Sequence, residues 1–247
     1  MEEGLKVNLE LILFDADRTL LDYDRAESDA LRDTFCHFGL EYDEDIHQPL
    51  YREINEGLWR ELEKGTIATE ELRIKRFEIM LDGKMPEADL GGFSRLYLTN
   101  LSKGSYLIDG AEEVCRHLAD RYRLAVVTNG IREVQLARFK GSPIEPFIEH
   151  VIISEDAGYS KPHPGIFEYA FRILGHSNKE TAIMVGDSLI ADIAGGLRFG
   201  IKTCWYNPAG CPVVPELEPG YEIADLRELL TLMEISQPPI AKTHLID

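Results

Sequence analysis

Residues 11–20 read LILFDADRTL. Leu11, Ile12, Leu13 and Phe14 make an unbroken apolar run, the pattern of a strand buried on both faces, as in a parallel sheet. Asp15 and Asp17 follow at once. Two residues apart, they point to one side if the extended backbone continues. Two carboxylates at the end of a buried strand repel each other, and burial further disfavours their charge. A divalent cation is the simplest offset. The plain alternative is a strand ending in a solvated turn, and this stretch alone does not separate the two.

The texture changes after this strand. DRAESDALRDTFCHFG, from Asp24, carries apolar residues at helical spacing and stops at Gly39. HQPLYREINEGLWRELEKG predicts a second helix ending at Gly65. TIATEELRIKRFEIMLDG predicts a third, with Thr69 in a capping-box position. EADLGGFSRLYLTNLSK contains a fourth, its start blurred by Gly91 and Gly92. No strand is expected between Asp24 and Lys103, so this segment reads as an all-helical insert.

From Leu107 onward, helices and strands alternate. The expected strands are RLAVVTNG, HVIISED, TAIMVGDS and IKTCWYN; GAEEVCRHLADRY, IREVQLARFK, PGIFEYAFRILG, LIADIAGGLRFG and ADLRELLTLM are the expected helices. Repeated βα units with short loops predict an α/β fold with a doubly wound parallel sheet. The tail SQPPIAKTHLID is expected to be loosely held.

The chain has 247 residues, of which 44% are apolar, enough for one large domain or a core plus an insert. No run approaches the ~20 apolar residues of a membrane helix. The acidic start MEEGLKVNLE has no signal-peptide pattern, and four scattered cysteines fit reduced thiols in a cytoplasmic protein. A formal net charge of −18 opposes binding to nucleic-acid polymers, whose affinity comes largely from phosphate neutralisation. It leaves room for a small phosphorylated ligand held by a local cation.

Polar groups recur at the strand ends: Asp15 and Asp17 after the first, Thr128 and Asn129 after the second, and Asp187 after Gly186. In open parallel sheets, ligands bind outside the carboxyl ends of the strands. Convergence of these groups into one site is therefore expected, although each taken singly also suits a helix N-cap.

DADRT, TNG, SKPHPGIF and GDSLIAD, in that order, resemble the four motifs of the haloacid dehalogenase-like (HAD) hydrolase superfamily. The resemblance implies a Rossmann-like core in residues 1–22 and 104–247, with a C1-type helical cap in residues 23–103. It implies Asp15 as a nucleophile forming an aspartyl-phosphate, and Asp17 as the acid and then the base. It also implies Mg²⁺ held by Asp15, the Asp17 carbonyl and Asp187, with Asp192 supporting the metal or the lysine. Thr128 and Asn129 would bind phosphate, and Lys161 would neutralise it and orient Asp15. Many relatives have glycine where this chain has Arg18, which could help hold a phosphate but is expected to face solvent. His163 is not needed as an acid or base, because Asp17 fills that role.

Asp17 favours phosphoryl transfer over the attack on carbon made by 2-haloacid dehalogenases. Phosphonatases need a cap lysine, but none of Lys64, Lys75 and Lys84 sits in a recognisable motif. FDADRTLLDYD, EGLWRELEKGTIATEELRIKRF, VIISEDAGYSKPHPGIFEYA and GIKTCWYN further resemble the YjjG-type pyrimidine 5'-nucleotidases. That likeness implies a nucleoside monophosphate as substrate and a cap that closes over the phosphate site. Alternatives are a phosphatase or phosphomutase on a sugar phosphate or phosphoglycolate, and a non-catalytic phosphate sensor. Trp59, Phe77 and Tyr97 are candidates for stacking a base, against the usual role of such residues in filling a helical core.

Overall fold

The computed structural model describes residues 9–63, 66–84, 87–214 and 216–235. The expected ends of the second helix (Lys64, Gly65) and the C-terminal tail lie outside them. Contacts divide the chain into two compact units. One comprises Met1–Leu21, Leu107–Gly130 and Pro143–Asp247, and the other Asp22–Tyr106 and Ile131–Ser142.

The first unit is α/β. Its strands are β1 (Leu11–Phe14), β2 (Arg123–Thr128), β3 (His150–Ile153), β4 (Ala182–Gly186), β5 (Lys202–Tyr206) and β6 (Tyr221–Ile223). They form one parallel sheet in the order β3-β2-β1-β4-β5-β6. β1 is central, and all four of its side chains are fully buried. Leu11 and Leu13 pack with Ala125, Val127, Met184 and the apolar stripe of α8 (Pro164–Leu174), including Ile166, Phe167 and Phe171. The chain leaves β1 for β2 on one side and later returns to β4 on the other. Strand order therefore reverses at β1, and the crevice at its carboxyl end is the switch point of a Rossmann-like sheet. Helices α5 (Ala111–Ala119), α7 (Ser154–Ala157), α9 (Ala194–Phe199) and α10 (Glu228–Ile235) complete the unit.

Differences from the expected elements are local. β3 ends at Ile153; Ser154, Glu155 and Asp156, expected to continue the strand, instead belong to α7 (Ser154–Ala157). β6 was not expected: three residues give too short a pattern to read. LIADI, expected as the start of an α-helix, is a π-helical turn over Leu189–Ile193.

The second unit is helical: α1 (Tyr23–His37), α2 (Glu44–Glu63), α3 (Thr69–Leu81), α4 (Glu87–Leu101) and α6 (Arg132–Phe139). α1 starts on an Asp22 cap whose carboxylate accepts the Arg25 N–H at 3.0 Å. α2 begins at Glu44, ahead of the predicted start, with Asp43 accepting the Asp45 N–H at 3.0 Å. Leu31, Phe35, Tyr51, Phe77, Phe93 and Tyr97 fill its core. The sequence division assigns residues 131–142 to the core domain, but the contacts group them with the helices. Ile131 and Val134 are buried in the helical core, Arg138 Nε donates to the Gly104 carbonyl at 2.9 Å, and Arg73 pairs with Glu133 at 2.9 Å. No helix among the described residues is long and apolar enough to cross a membrane. All four cysteines are free.

Candidate active site

The site is built at the carboxyl ends of β1, β2 and β4, within the α/β unit. The Asp15 N–H donates to the Val185 carbonyl at 2.8 Å, so the β1–β4 ladder carries one residue past the strand and sets where the turn begins. Asp15 itself is buried. The turn then closes on itself: the Arg18 N–H donates to the Leu21 carbonyl at 2.8 Å, and Asp17 bridges to Leu21. Arg18 takes φ 62°, a left-handed conformation that costs a residue with a Cβ about 1–2 kcal/mol.

Lys161 is 2% exposed. Its Nζ donates to Asp15 Oδ1 and to Asp192 Oδ1, the second contact at 2.6 Å. Asn129 fixes the lysine's backbone with a two-way amide pair: Asn129 Nδ2 donates to the Lys161 carbonyl at 2.9 Å, and the Lys161 N–H donates to Asn129 Oδ1 at 2.8 Å. Thr128, buried beside it, accepts the Gly130 N–H at 3.0 Å.

Asp187 follows β4. Its N–H donates to Thr19 Oγ1 at 3.1 Å, and its carbonyl accepts Trp205 Nε1 at 2.8 Å. Asp192 comes from the π-helical turn, a form found often at functional sites. Its Oδ2 accepts the Ser188 N–H at 3.0 Å. Gly186 makes room for it, since a Cβ there would lie 2.2 Å from Asp192 Oδ2.

One oxygen from each of Asp15, Asp187 and Asp192 lies within 4.8 Å of the other two. Asp17 is half-buried and adds no carboxylate oxygen to this trio. Three hard oxygen donors around one point suit Mg²⁺ or a cation of similar hardness. The electrostatics agree. Burial holds the Asp15 carboxyl well above the usual carboxylate range; Lys161 opposes this, and Asp192 and Asp187 add to it. Burial pushes the Asp187 carboxyl up to about 7, reinforced by Asp192 and opposed by Arg18 and Lys161. Burial disfavours the Lys161 charge, but Asp15 and Asp192 more than offset that and keep the ammonium protonated. One lysine thus serves three crowded acids, and the surplus negative charge calls for a further cation.

The structure brings together Asp15, Lys161, Asp187 and Asp192, and joins Asn129 to the lysine's backbone. Arg18 is partly exposed, and its charge acts on Asp187. His163 caps α8, with Nδ1 accepting the Gly165 N–H at 3.0 Å, and stacks on Tyr159. Phe77 and Tyr97 lie fully buried in the helical core, as the packing alternative has it. Thr19 and Trp205, which orient Asp187, were missed. Thr19 had a signal as the last residue of DADRT, and Trp205 had none beyond its place at a strand end.

The family profile described as haloacid dehalogenase-like hydrolase matches residues 12–206. The chain is 38% identical to the putative HAD-hydrolase YfnB of Bacillus subtilis, over 91% of this chain and 95% of that protein. A magnesium-bound crystal form of YfnB, which reveals interdomain movement, matches with a TM-score of 0.84 over 92% of this chain and 99% of that one. Identity is 34% to the pyrimidine 5'-nucleotidase PynA of Streptococcus pneumoniae, over 90% and 94% of the two chains. It is 27% to the pyrimidine 5'-nucleotidase YjjG of Escherichia coli, over 90% and 96%.

Proposed function

This chain belongs to the haloacid dehalogenase-like hydrolase family, and we propose that within it the protein is a Mg²⁺-dependent phosphomonoesterase selective for pyrimidine nucleoside 5'-monophosphates. The observation that carries this reading is the buried Lys161 ammonium shared by Asp15 and Asp192, with the Asp187 carboxylate beside them. In this reading, the α/β unit is the catalytic core domain and the helical unit, Asp22–Tyr106 with Ile131–Ser142, is the cap domain. The free thiols suit a cytoplasmic location.

Asp15 Oδ attacks phosphorus, forming an aspartyl-phosphate as the bond to the leaving oxygen breaks. Asp17 gives that oxygen its proton, then takes one from the water that hydrolyses the acyl phosphate. Lys161 keeps Asp15 ionised for the attack and neutralises phosphate charge. Thr128 and the Asn129 backbone N–H hold phosphate oxygens, and the Asn129 side chain fixes the lysine. Asp15, Asp187 and the Asp17 carbonyl, with Asp192 behind them, would hold Mg²⁺, which offsets repulsion between the carboxylates and the phosphate dianion. The pyrimidine class is supported by the near full-length likeness to PynA and YjjG.

The test is phosphate release from dUMP, dTMP, UMP, dAMP, phosphoglycolate and hexose phosphates, with Mg²⁺ or EDTA, beside Asp15→Asn. Selective turnover of the pyrimidine nucleotides, lost in both controls, is expected. Preference for a sugar phosphate or phosphoglycolate would keep the mechanism and overturn the substrate. Binding without Mg²⁺-dependent turnover anywhere in the panel would favour a sensor.

A further inference from the structure

Asp187 stands just past Gly186, the last residue of β4, so the paired part of the strand ends before it. Asp15, by contrast, is still tied into the β1–β4 ladder through its N–H. Side chains hold Asp187 instead, and they come from two other elements. Thr19, in the turn after β1, accepts the Asp187 N–H on Oγ1 at 3.1 Å, and the same hydroxyl lies 3.4 Å from Asp187 Oδ1. Trp205, on β5, donates its indole N–H to the Asp187 carbonyl at 2.8 Å. Side chains thus engage both main-chain polar groups of this one acid, while its carboxylate stands with those of Asp15 and Asp192.

The clamp is buried: Thr19 is fully enclosed and Trp205 is 3% exposed. β4 and β5 pair with Gly186 opposite Trp205, which starts the indole beside the residue before Asp187. An indole N–H can only donate, and a buried one must find an acceptor. Any carbonyl would meet that need. Here it is the carbonyl of an acid in the carboxylate trio, and a hydroxyl from another element holds the N–H of the same residue. An acid held at both ends of its main chain can move its carboxylate only by turning the side chain. Cations differ in how far they tolerate this. Mg²⁺ demands a near-octahedral set of oxygens at about 2.0–2.1 Å, whereas Ca²⁺ accepts looser sets at about 2.3–2.6 Å.

We propose that Trp205 and Thr19 are positioning residues that set the metal preference of the site: by clamping Asp187 they favour Mg²⁺ over the larger Ca²⁺. This rests on the metal-binding part of the function proposed above and not on its substrate.

The experiment measures dissociation constants for Mg²⁺ and Ca²⁺ by calorimetric titration of the full chain at pH 8, above the Asp187 carboxyl's value of about 7. Wild type is compared with Trp205→Phe, which keeps a ring and removes the N–H, and with Thr19→Val and Thr19→Ser. In Trp205→Phe and Thr19→Val the Mg²⁺ constant should rise about tenfold and the Ca²⁺ constant less than about threefold, so the preference narrows. Thr19→Ser keeps the oxygen and should keep the preference. A role in packing alone would lower the Tm in EDTA and leave the ratio of the two constants unchanged; that ratio, unchanged in either Trp205→Phe or Thr19→Val, overturns the proposal. A wild type that binds Ca²⁺ as tightly as Mg²⁺ overturns it as well. A wild type that binds Mg²⁺ but turns over no phosphate ester would sink the proposed reaction and leave the titrations readable. One that binds neither cation removes the metal site and the proposal with it. Should Trp205→Phe not fold, the Thr19 variants carry the comparison, and wild-type crystals grown with Mg²⁺ add a direct reading. Mg²⁺ on the Asp187 carboxylate, with the indole still on the carbonyl, supports the clamp. An indole released from that carbonyl overturns it.

Discussion

Lys161 in the α/β unit and Arg76 in the helical unit are both buried, at 2% and 1% exposure. Their surroundings are opposite. Lys161 is short of nothing: two carboxylates accept from its ammonium, a third stands close by, and Asn129 holds its backbone on both sides. Arg76 has one distant amide oxygen, three aromatic faces, the Tyr51 hydroxyl and the buried Glu27 carboxylate within electrostatic reach. Around Lys161 negative charge is in surplus, so the missing component is a cation. Around Arg76 a buried carboxylate, Glu27, stands within electrostatic reach, and the rest of its surroundings are phenols, rings and one amide. Burial by itself thus says little about a charged group; the balance of charge around it tells whether a further ligand is called for.

The largest effect should come from the acid side. Asp15→Asn removes the nucleophile, and turnover in the phosphate-release assay should fall about ten-thousand-fold or more. Residual activity within a factor of ten of wild type would remove Asp15 from the chemistry. Lys161→Met comes next. It should cost about 10²–10³ in kcat, and the carboxylates left without their counter-charge should cost about 3–5 kcal/mol in urea unfolding. A Lys161→Met protein as stable as wild type would mean the lysine is not what holds the acids together.

Gly186→Ala drives a methyl group into Asp192. Overpacking of that kind costs about 1–3 kcal/mol, and displacing Asp192 should weaken Mg²⁺ affinity in a titration. Unaltered Mg²⁺ binding would separate Asp192 from the metal. A smaller effect concerns pH. With the Asp187 carboxyl at about 7 in the folded protein and lower when unfolded, the metal-free folded state binds more protons between those values. Its stability therefore falls as pH rises towards 7. Mg²⁺ displaces that proton, so the gap in Tm between Mg²⁺ and EDTA should widen from pH 5.5 to 8. A gap constant across this range would contradict the shift.

The acid-side residues were legible because they interrupt buried strands. LILF, AVVT and MVG have little to be except central strands, and a polar residue directly after each stands at a strand end. Backbone register does the rest, since parallel pairing brings those ends to one edge. Arg76 was harder. In TEELRIKRFEIML it sits among charges and reads as solvent-facing, yet Leu72, Arg76 and Met80 follow at intervals of four, and all three are buried. Helical spacing was the available signal, masked by the residue type. The placing of 131–142 with the helices was not legible, because IREVQLARFK predicts a helix correctly and says nothing of which unit it packs on. The π-helical turn at Leu189–Ile193 has no composition that distinguishes it from an α-helix.

The amide pair between Asn129 and Lys161 has one more consequence, and it concerns ageing. Asn129 precedes Gly130, the neighbour that best permits an asparagine to lose its amide by cyclising onto the next backbone nitrogen. In the fold, the Asn129 carboxamide is tied at both ends and the Gly130 N–H is engaged by Thr128, which holds the two reacting groups in other work. Unfolding releases both. Each passage through the unfolded state exposes the chain to conversion of Asn129 to a carboxylate or its β-linked isomer, which cannot donate to the Lys161 carbonyl. A stock that has been repeatedly heated should therefore lose activity faster than it loses the ability to refold, leaving a permanent chemical record of its thermal history at the residue that holds the lysine in place.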